Sequence, residues 1–563
     1  IDSADLRKAH RADTNPACSR IYRRAKIPLG VCSVRRLETT WLGRRLALST
    51  VLSVVMSCHS MSQRAASTAE PSSSQQNPSI AMPMSVQSDL DQYLHDALES
   101  QDVRRVGRFI AAVEPSELSN DLHPTRRKAS AKQELEQVEA LFQAGEELFE
   151  TELAVVGGFG HERSAKGPKM HRVHRGAKGG PDSFSCRSCH HRGGDDGAGE
   201  YNENALVGGD GTHVRSALER NPPPLQGAGL LQILGAEVTA VLQNYVSGPP
   251  PSEPTTIPLI VQDVDFGSVK RMPDGTIDTS GLRGIDPDLI VKPFGWKGTH
   301  SSLRRFAEEA FQVHHGMESS VLAWHRRFFG PQPMFASQAT RDIMTAFADG
   351  DPLDLDRDGV RGELTESMLT AISVYLALLP LPTIEPPRAP DLLAAFRQGH
   401  AAFYSVGCAG CHKPTWLLSN PTWTEQSEAQ NSATRVVLDL RKDIRNGPPL
   451  RNRDAEIQGY SALVFSDLRR HDMGSELSDP APKVAKPGIP PSHFLTRPLW
   501  GLADSAPYLH DGRAITVADA IKFHGGEAAE SRRKYQALPV ETQRALAVFL
   551  LSLSRASLPE VSQ

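Results

Sequence analysis

Two copies of the pattern C-x-x-C-H constrain this chain more than any other feature. The pattern is the attachment signature of c-type haem. In it, both thiols bond to the haem vinyl groups, and the histidine that follows ligates the iron. The residues of the two copies are Cys186, Cys189, His190, Cys408, Cys411 and His412. The sequence therefore predicts two covalently bound haem c groups.

Paired cysteines have two other common uses, a zinc site and a redox-active dithiol. Zinc would need two further ligands at a matching spacing, and a dithiol would not need a histidine after each pair. The chain has 563 residues and 7 cysteines, and the three outside the motifs are Cys18, Cys32 and Cys58. No cysteine after residue 58 is left over, which favours haem over both alternatives.

The first 58 residues have a strongly basic composition. They hold 11 lysines and arginines and four acidic residues, a net charge of +7, whereas the whole chain has a net charge of −4. Arg44 and Arg45 precede the apolar stretch 46–56, which is the order found in a secretory signal and is too short to span a bilayer. We expect a basic leader over 1–58 that directs export. The net charge of −4 argues against general nucleic-acid binding.

The end of this leader leaves two alternatives open. Cys58 stands in a context that resembles a bacterial lipoprotein signal, so lipidation of Cys58 is one alternative. Ordinary cleavage near Ser57 or Ser60 is the other. Residues 59–88, rich in Ser, Gln, Ala, Pro and Met, are typical of a flexible tether. The predicted location is periplasmic, or lipid-anchored at the bacterial envelope.

The two haem motifs are preceded by similar segments. The spacing F-x2-G-x3-F occurs in 142–149 and again in 396–403, as in the first helix of a cytochrome c domain. Helical spacing of apolar residues also ends each half, and strand signals are sparse. We therefore predict a mainly α fold of two cytochrome c-like haem domains, packed face to face with long irregular loops. Their predicted bounds are 89–385, with insertions, and 386–563.

Several longer pieces resemble the bacterial di-haem cytochrome c peroxidase superfamily, and more narrowly its branch of di-haem (thiol) oxidoreductases. The pieces are Arg497–Arg513, Ala520–Glu527, Phe294–Lys297, Leu303–Phe306, His314–Met317 and His471–Gly474. The resemblance implies that the haems meet at the domain interface. It implies a peroxidatic haem in the N-terminal domain and a second haem that stores and relays an electron.

The resemblance also implies distal ligands for the two irons. His213, followed by Arg220-Asn221-Pro222, matches the displaceable distal ligand of the peroxidatic haem, and His314 or His315 competes for this role. In the peroxidases the second haem usually has a methionine as its distal ligand, and His524 stands at the matching position of this chain. An imidazole there would lower the reduction potential of that haem. Met473 is the alternative ligand.

Two further side chains match positions that act in the peroxidases. Trp296 corresponds to the aromatic residue between the haems, and a buried core tryptophan is its alternative. Glu318 lies near the position of the distal glutamate that moves a proton during O–O cleavage, and a solvated surface glutamate is its alternative.

Residues 354–359 read D-x-D-x-D-G and resemble the start of a calcium loop. Asp354, Asp356 and Asp358 would supply alternate carboxylates to one cation. The twelfth position is Thr365 rather than an acidic residue, so an acidic turn that leads into the next helix is the alternative.

These observations favour an enzyme that reduces hydrogen peroxide with electrons from a small periplasmic donor, either a cytochrome c or a cupredoxin. An electron-transfer protein without peroxidase activity and a di-haem oxidase of an organic or sulfur substrate are the alternatives. A homodimer is the expected self-association, and a lipid on Cys58 is the only membrane contact that the sequence predicts.

Overall fold

A computed structural model describes residues 131–153, 183–194, 196–200, 205–207, 217–317, 319, 363–426, 435–441, 451–452, 459–480 and 488–554. All of them belong to one compact unit, Asn77–Gln563. Several predictions lie outside the described residues: the leader, the tether, His213, Glu318, and Asp354, Asp356 and Asp358.

Eight α-helices lie in the described part of the chain. They are α1 (Ala131–Glu150), α2 (Ala228–Val246), α3 (Leu303–Ala310), α4 (Glu366–Ala377), α5 (Pro390–Ser405), α6 (Val517–Lys522), α7 (Ala529–Gln536) and α8 (Val540–Leu551). A π-helical turn, Phe311–His315, continues α3 and ends at Gly316 in the left-handed conformation. None of the helices in the described ranges is long and apolar enough to cross a membrane.

The glycines of the repeated F-x2-G-x3-F segment allow two close helix crossings. A methyl group on Gly145 of α1 would collide with the Ala371 carbonyl of α4 and would lie 2.6 Å from Tyr375 Cβ. A methyl group on Gly399 of α5 would collide with the Ala545 carbonyl of α8. The same spacing therefore builds the same kind of helix pair in both halves, α1 with α4 and α5 with α8.

The prediction of a mainly α fold is wrong, because the architecture is mixed: 37% of the described residues are helical and 20% lie in strands. The strands are short and pair only in small antiparallel sheets, so they lack the long alternation that identifies a strand in a sequence. They are β1 (Ala205–Val207), β2 (Leu218–Arg220), β3 (Thr255–Val261), β4 (Val264–Arg271), β5 (Ile277–Asp278), β6 (Thr383–Ile384), β7 (Thr415–Leu418), β8 (Thr422–Gln426), β9 (Arg435–Asp439), β10 (Arg451–Asn452), β11 (Tyr460–Leu463), β12 (Arg470–Asp472), β13 (His493–Leu495) and β14 (Leu553–Ser554). The sheets pair β1 with β2, β8 with β9, β12 with β13 and β6 with β14, and their three-stranded orders are β3-β4-β5 and β10-β11-β7.

Two apolar clusters form most of the core in the described part of the chain, and Leu206 with Ala217 form a third, small one. The larger contains Leu148 of α1 together with Trp416, Trp423 and Trp500, so it includes side chains from both sides of the domain boundary proposed at residue 385. The second cluster surrounds Phe403 and contains Phe465, Leu546 and Phe549. The domain bounds themselves stay a prediction.

Candidate functional site

The first C-x-x-C-H motif follows α1 and folds as one tight turn. The His190 amide donates to the Cys186 carbonyl (3.0 Å), which gathers the two thiols and the imidazole on one turn. His190 Nδ1 donates to the Gly197 carbonyl (3.1 Å), since a carbonyl can only accept. Burial lowers the pKa of His190 to about 4, so the ring is neutral and its Nε2 keeps a lone pair for a metal.

The second motif has the same local geometry. The His412 amide donates to the Cys408 carbonyl (2.9 Å). His412 Nδ1 donates to the Phe465 carbonyl (3.1 Å). Burial, and then the nearby His524, lower the pKa of His412 to about 4. His412 therefore also presents a neutral ring with a free Nε2.

His524, which follows α6, faces His412. The two ring centroids are 6.4 Å apart, and the ring planes are inclined by 48°. His524 Nδ1 donates to the Ala520 carbonyl (2.8 Å), and burial lowers the pKa of this histidine as well. Two neutral imidazoles thus lie opposite each other, and the Nδ1 of each donates a hydrogen bond to a backbone carbonyl.

One cavity of about 620 Å³ connects the two motifs. Predominantly apolar and aromatic side chains line it. The predicted site residues on its wall are Cys186, Cys189, His190, Trp296, Cys408, Cys411, His412, Met473 and His524. The described members of the predicted site are thereby brought together, although the two motifs are more than 200 residues apart in the sequence.

The residues of this cavity fit haem. Two imidazoles that ligate one metal ion from opposite sides have centroids roughly 6.2 Å apart, because each metal–nitrogen bond spans about 2.0 Å and each centroid lies about 1.1 Å behind its nitrogen. The spacing of 6.4 Å between His412 and His524 matches this requirement. Met473 lines the same cavity and remains the alternative ligand.

The properties of the thiols argue against a reactive dithiol. Burial raises the pKa of Cys186 to about 12 and that of Cys408 to about 11, so neither thiol is ionised at neutral pH. A redox-active cysteine needs a lowered pKa instead. All four described cysteines are free of disulfides.

A zinc site is disfavoured by the surroundings of His471. Cys411, Asp467 and His471 are grouped closely enough to hold a metal ion. However, His471 Nε2 lies 2.8 Å from Asp467 Oδ2, and its Nδ1 lies 2.7 Å from Glu527 Oε2. An imidazole held between two carboxylates carries a proton on each nitrogen and has no lone pair for a metal.

Trp296, His314 and His315 also line the cavity. Trp296 Nε1 donates to the Asn221 carbonyl (2.9 Å), and the indole contacts the edge of His510, with centroids 6.4 Å apart. His314 and His315 lie on the π-helical turn, and His315 Nε2 is 3.7 Å from Cys186 Sγ. A π-helical turn within a helix frequently marks a functional site.

The sequence did not reveal a buried charged cluster on the cavity wall. Asp479 accepts from Arg220 Nη2 (2.8 Å) and lies 3.2 Å from Lys297 Nζ. Lys297 Nζ also lies 3.5 Å from the centroid of Phe494, whose ring stacks on His510 with centroids 4.2 Å apart. Burial lowers the pKa of His510 to about 4, so this ring adds no charge. Arg220 and Asp479 are 259 positions apart, and no local signal connects them.

The comparison with protein families supports the sequence prediction. Residues 441–553 match the family model described as "Di-haem oxidoreductase, putative peroxidase". This segment is similar to the di-haem oxidoreductase family. The match confirms the predicted resemblance, and it contains His471, Met473, Arg497, His510 and His524. No curated protein matches the chain.

Two solved structures are similar to the chain at low identity. One is the hydrazine synthase of Kuenenia stuttgartiensis pressurised with xenon, with 15% identity over 87% of this chain and 100% of that chain and a TM-score of 0.32. The other is a MauG-like protein associated with microbial copper homeostasis, with 16% identity over 74% of this chain and 90% of that chain and a TM-score of 0.29. These TM-scores are too low to establish a shared fold.

Proposed function

We propose that this chain is a periplasmic di-haem c-type oxidoreductase that reduces hydrogen peroxide with electrons from a cytochrome c or a cupredoxin. The observation that carries the proposal is that both C-x-x-C-H motifs line one cavity. Reduction of peroxide to two waters consumes two electrons and two protons. Two one-electron cofactors in one cavity can supply both electrons, and haem, when bound, supplies the redox chemistry at iron.

The residues of the chain would hold and orient these cofactors. His190 and His412 each have Nδ1 fixed on a backbone carbonyl, which directs Nε2 to the metal. Trp296 lines the cavity that both motifs share, and we propose that it takes part in an electron path between the haems. The distal roles of His213 and Glu318, and the calcium loop, stay predictions from the sequence.

A specific observation favours a second candidate, an electron-transfer protein without peroxidase activity. The spacing of His412 and His524 suits an iron with both axial positions filled. If the first iron also keeps two firm ligands, no position is open to peroxide. Export to the periplasm, a lipid on Cys58 and a homodimeric state are likewise proposed from the sequence alone.

The test is peroxide consumption by the purified, haem-loaded protein after reduction by one electron per chain, with reduced cytochrome c as donor. We expect two molecules of cytochrome c to be oxidised for each peroxide. A Cys186→Ser/Cys189→Ser variant should lose this activity yet keep the second haem. No turnover, together with unchanged six-coordinate spectra, would refute the peroxidase and leave the electron carrier or a di-haem oxidase of another substrate.

A further inference from the structure

Arg497 lies on the cavity wall, and none of the described residues provides it with a counter-charge. Its guanidinium carbon is 5.5 Å from the centroid of the Trp296 ring. Its Nε is buried and has no hydrogen-bond partner, and none of the ion pairs in the described part of the chain includes this side chain. Burial lowers the pKa of Arg497 to about 10, which still leaves the group charged at neutral pH.

The neighbouring wall of the cavity also has an excess of positive charge. Arg220, Lys297 and Arg497 all line it, and within the described residues Asp479 is the single carboxylate that pairs with any of them. The other charged groups on the wall are paired locally. These pairs are Glu309 with His300, Glu527 with His471, and Arg532 with Glu476.

The Arg497 residue is half-buried and its Nε is fully buried, so this arrangement costs free energy of desolvation unless an anion enters the cavity. A buried cation is tolerated when it is paired and hydrogen-bonded, and an unpaired one is strongly destabilising. A guanidinium matches a carboxylate with two parallel hydrogen bonds, which a lysine cannot reproduce. The cavity that Arg497 lines is the one that both haem-attachment motifs share, and each haem carries two carboxylate side chains.

We propose that Arg497 binds a carboxylate side chain of a haem held in this cavity and keeps that carboxylate ionised. The inference rests on the proposed function, since it requires that the cavity holds haem. Arg497 is thus a positioning residue that tunes the haem electrostatically. An ionised carboxylate near the iron stabilises ferric relative to ferrous iron. The positive charge of Arg497 offsets the negative charge of the carboxylate and so reduces this effect.

The same chemistry could serve a free carboxylate from solution, and the experiment separates the two sources. Arg497→Leu removes the positive charge, and Arg497→Lys keeps the charge but cannot make the two parallel hydrogen bonds of a guanidinium. Arg544→Gln is the control, because the Arg544 side chain is 72% exposed and pairs with Glu541. Haem content is measured first, after denaturation. Two retained haems per chain would show that the cavity holds haem independently of Arg497. Absence of haem in the unsubstituted protein would instead refute the proposed function.

The decisive readout is the reduction potential of each haem between pH 5 and pH 9. At pH 8 we expect Arg497→Leu to shift one haem at least tenfold toward the ferric state, which corresponds to a potential lowered by about 59 mV. The shift should shrink toward pH 5, where the unpaired carboxylate takes up a proton, and Arg497→Lys should recover most of it. If Arg497→Leu does not retain haem, the same comparison is made with Arg497→Gln.

Two results would overturn the inference. In the first, the potentials of Arg497→Leu and Arg544→Gln both coincide with those of the unsubstituted protein at every pH. In the second, added acetate produces a saturable spectral change in the unsubstituted protein that Arg497→Leu abolishes, which would assign the site to a free carboxylate.

Discussion

The crossing of α5 and α8 at Gly399 predicts a large effect for a single methyl group. In Gly399→Ala the new Cβ would collide with the Ala545 carbonyl and would lie 2.9 Å from Leu546 Cα. Both obstacles are backbone atoms that cannot turn aside, so the helices must separate. We expect a cost of about 3 kcal/mol, the upper end for overpacked sites.

An opposing effect reduces this cost. Alanine is favoured over glycine inside a helix by about 1 kcal/mol. The net expectation is a loss of about 2 kcal/mol in the free energy of unfolding, because the collision outweighs the helix propensity. Gly235→Ala is the matched control: it lies inside α2, and its added methyl would approach only the side chains of Pro293, at 3.3 Å, and Val291.

The assay is urea denaturation of the haem-loaded proteins, followed by far-ultraviolet circular dichroism. Gly399→Ala should unfold at clearly lower urea, whereas Gly235→Ala should stay close to the unsubstituted protein or slightly exceed it. Equal stability of the two variants would refute the argument that the close crossing of α5 and α8 requires glycine at position 399.

Two further predictions concern buried charges. Burial alone would lower the pKa of His471, but the hydrogen bonds to Asp467 and Cys411 and the charges of these two groups together raise this pKa to about 11. The stabilisation that protonated His471 provides is therefore fully present below about pH 6.5 and is lost as the pH rises toward 11. In urea denaturation, the stability advantage of the unsubstituted protein over His471→Gln should shrink between pH 6.5 and pH 9.5. An advantage that stays constant over this range would contradict the prediction. Asp479→Asn leaves the buried Arg220 unpaired and should lower the free energy of unfolding by about 3–5 kcal/mol in the same assay. Asp439→Asn, at a more exposed ion pair, should lower it by less than about 1 kcal/mol. Similar losses in the two variants would contradict the argument from burial.

The sequence predicted the parts of the site that depend on local spacing. Cys186 and His190 lie on one turn because they are four residues apart, and Gly145 and Gly399 occupy equivalent helix crossings because their flanking spacing is the same. His524 was identified through the family resemblance, and the ring spacing to His412 agrees with a ligand role.

The parts that the sequence did not predict depend on long-range contacts. The ion pair of Arg220 with Asp479 joins residues 259 positions apart, and the position of Arg497 on the shared cavity emerges only from the fold. The mainly α prediction failed because strands of two to eight residues are stabilised by partners that periodicity does not reveal. The pairing of β6 with β14, from residue 383 to residue 554, is one example.

We propose that this chain holds two haems and that His412 and His524 would both ligate the iron of the second. Near-infrared magnetic circular dichroism of the oxidised, haem-loaded protein distinguishes bis-histidine from histidine–methionine ligation. We predict that the unsubstituted protein lacks a histidine–methionine signal, that this signal appears in His524→Met, and that Met473→Leu leaves the spectrum unchanged. A histidine–methionine signal that is lost in Met473→Leu and unaffected by His524→Met would contradict the account.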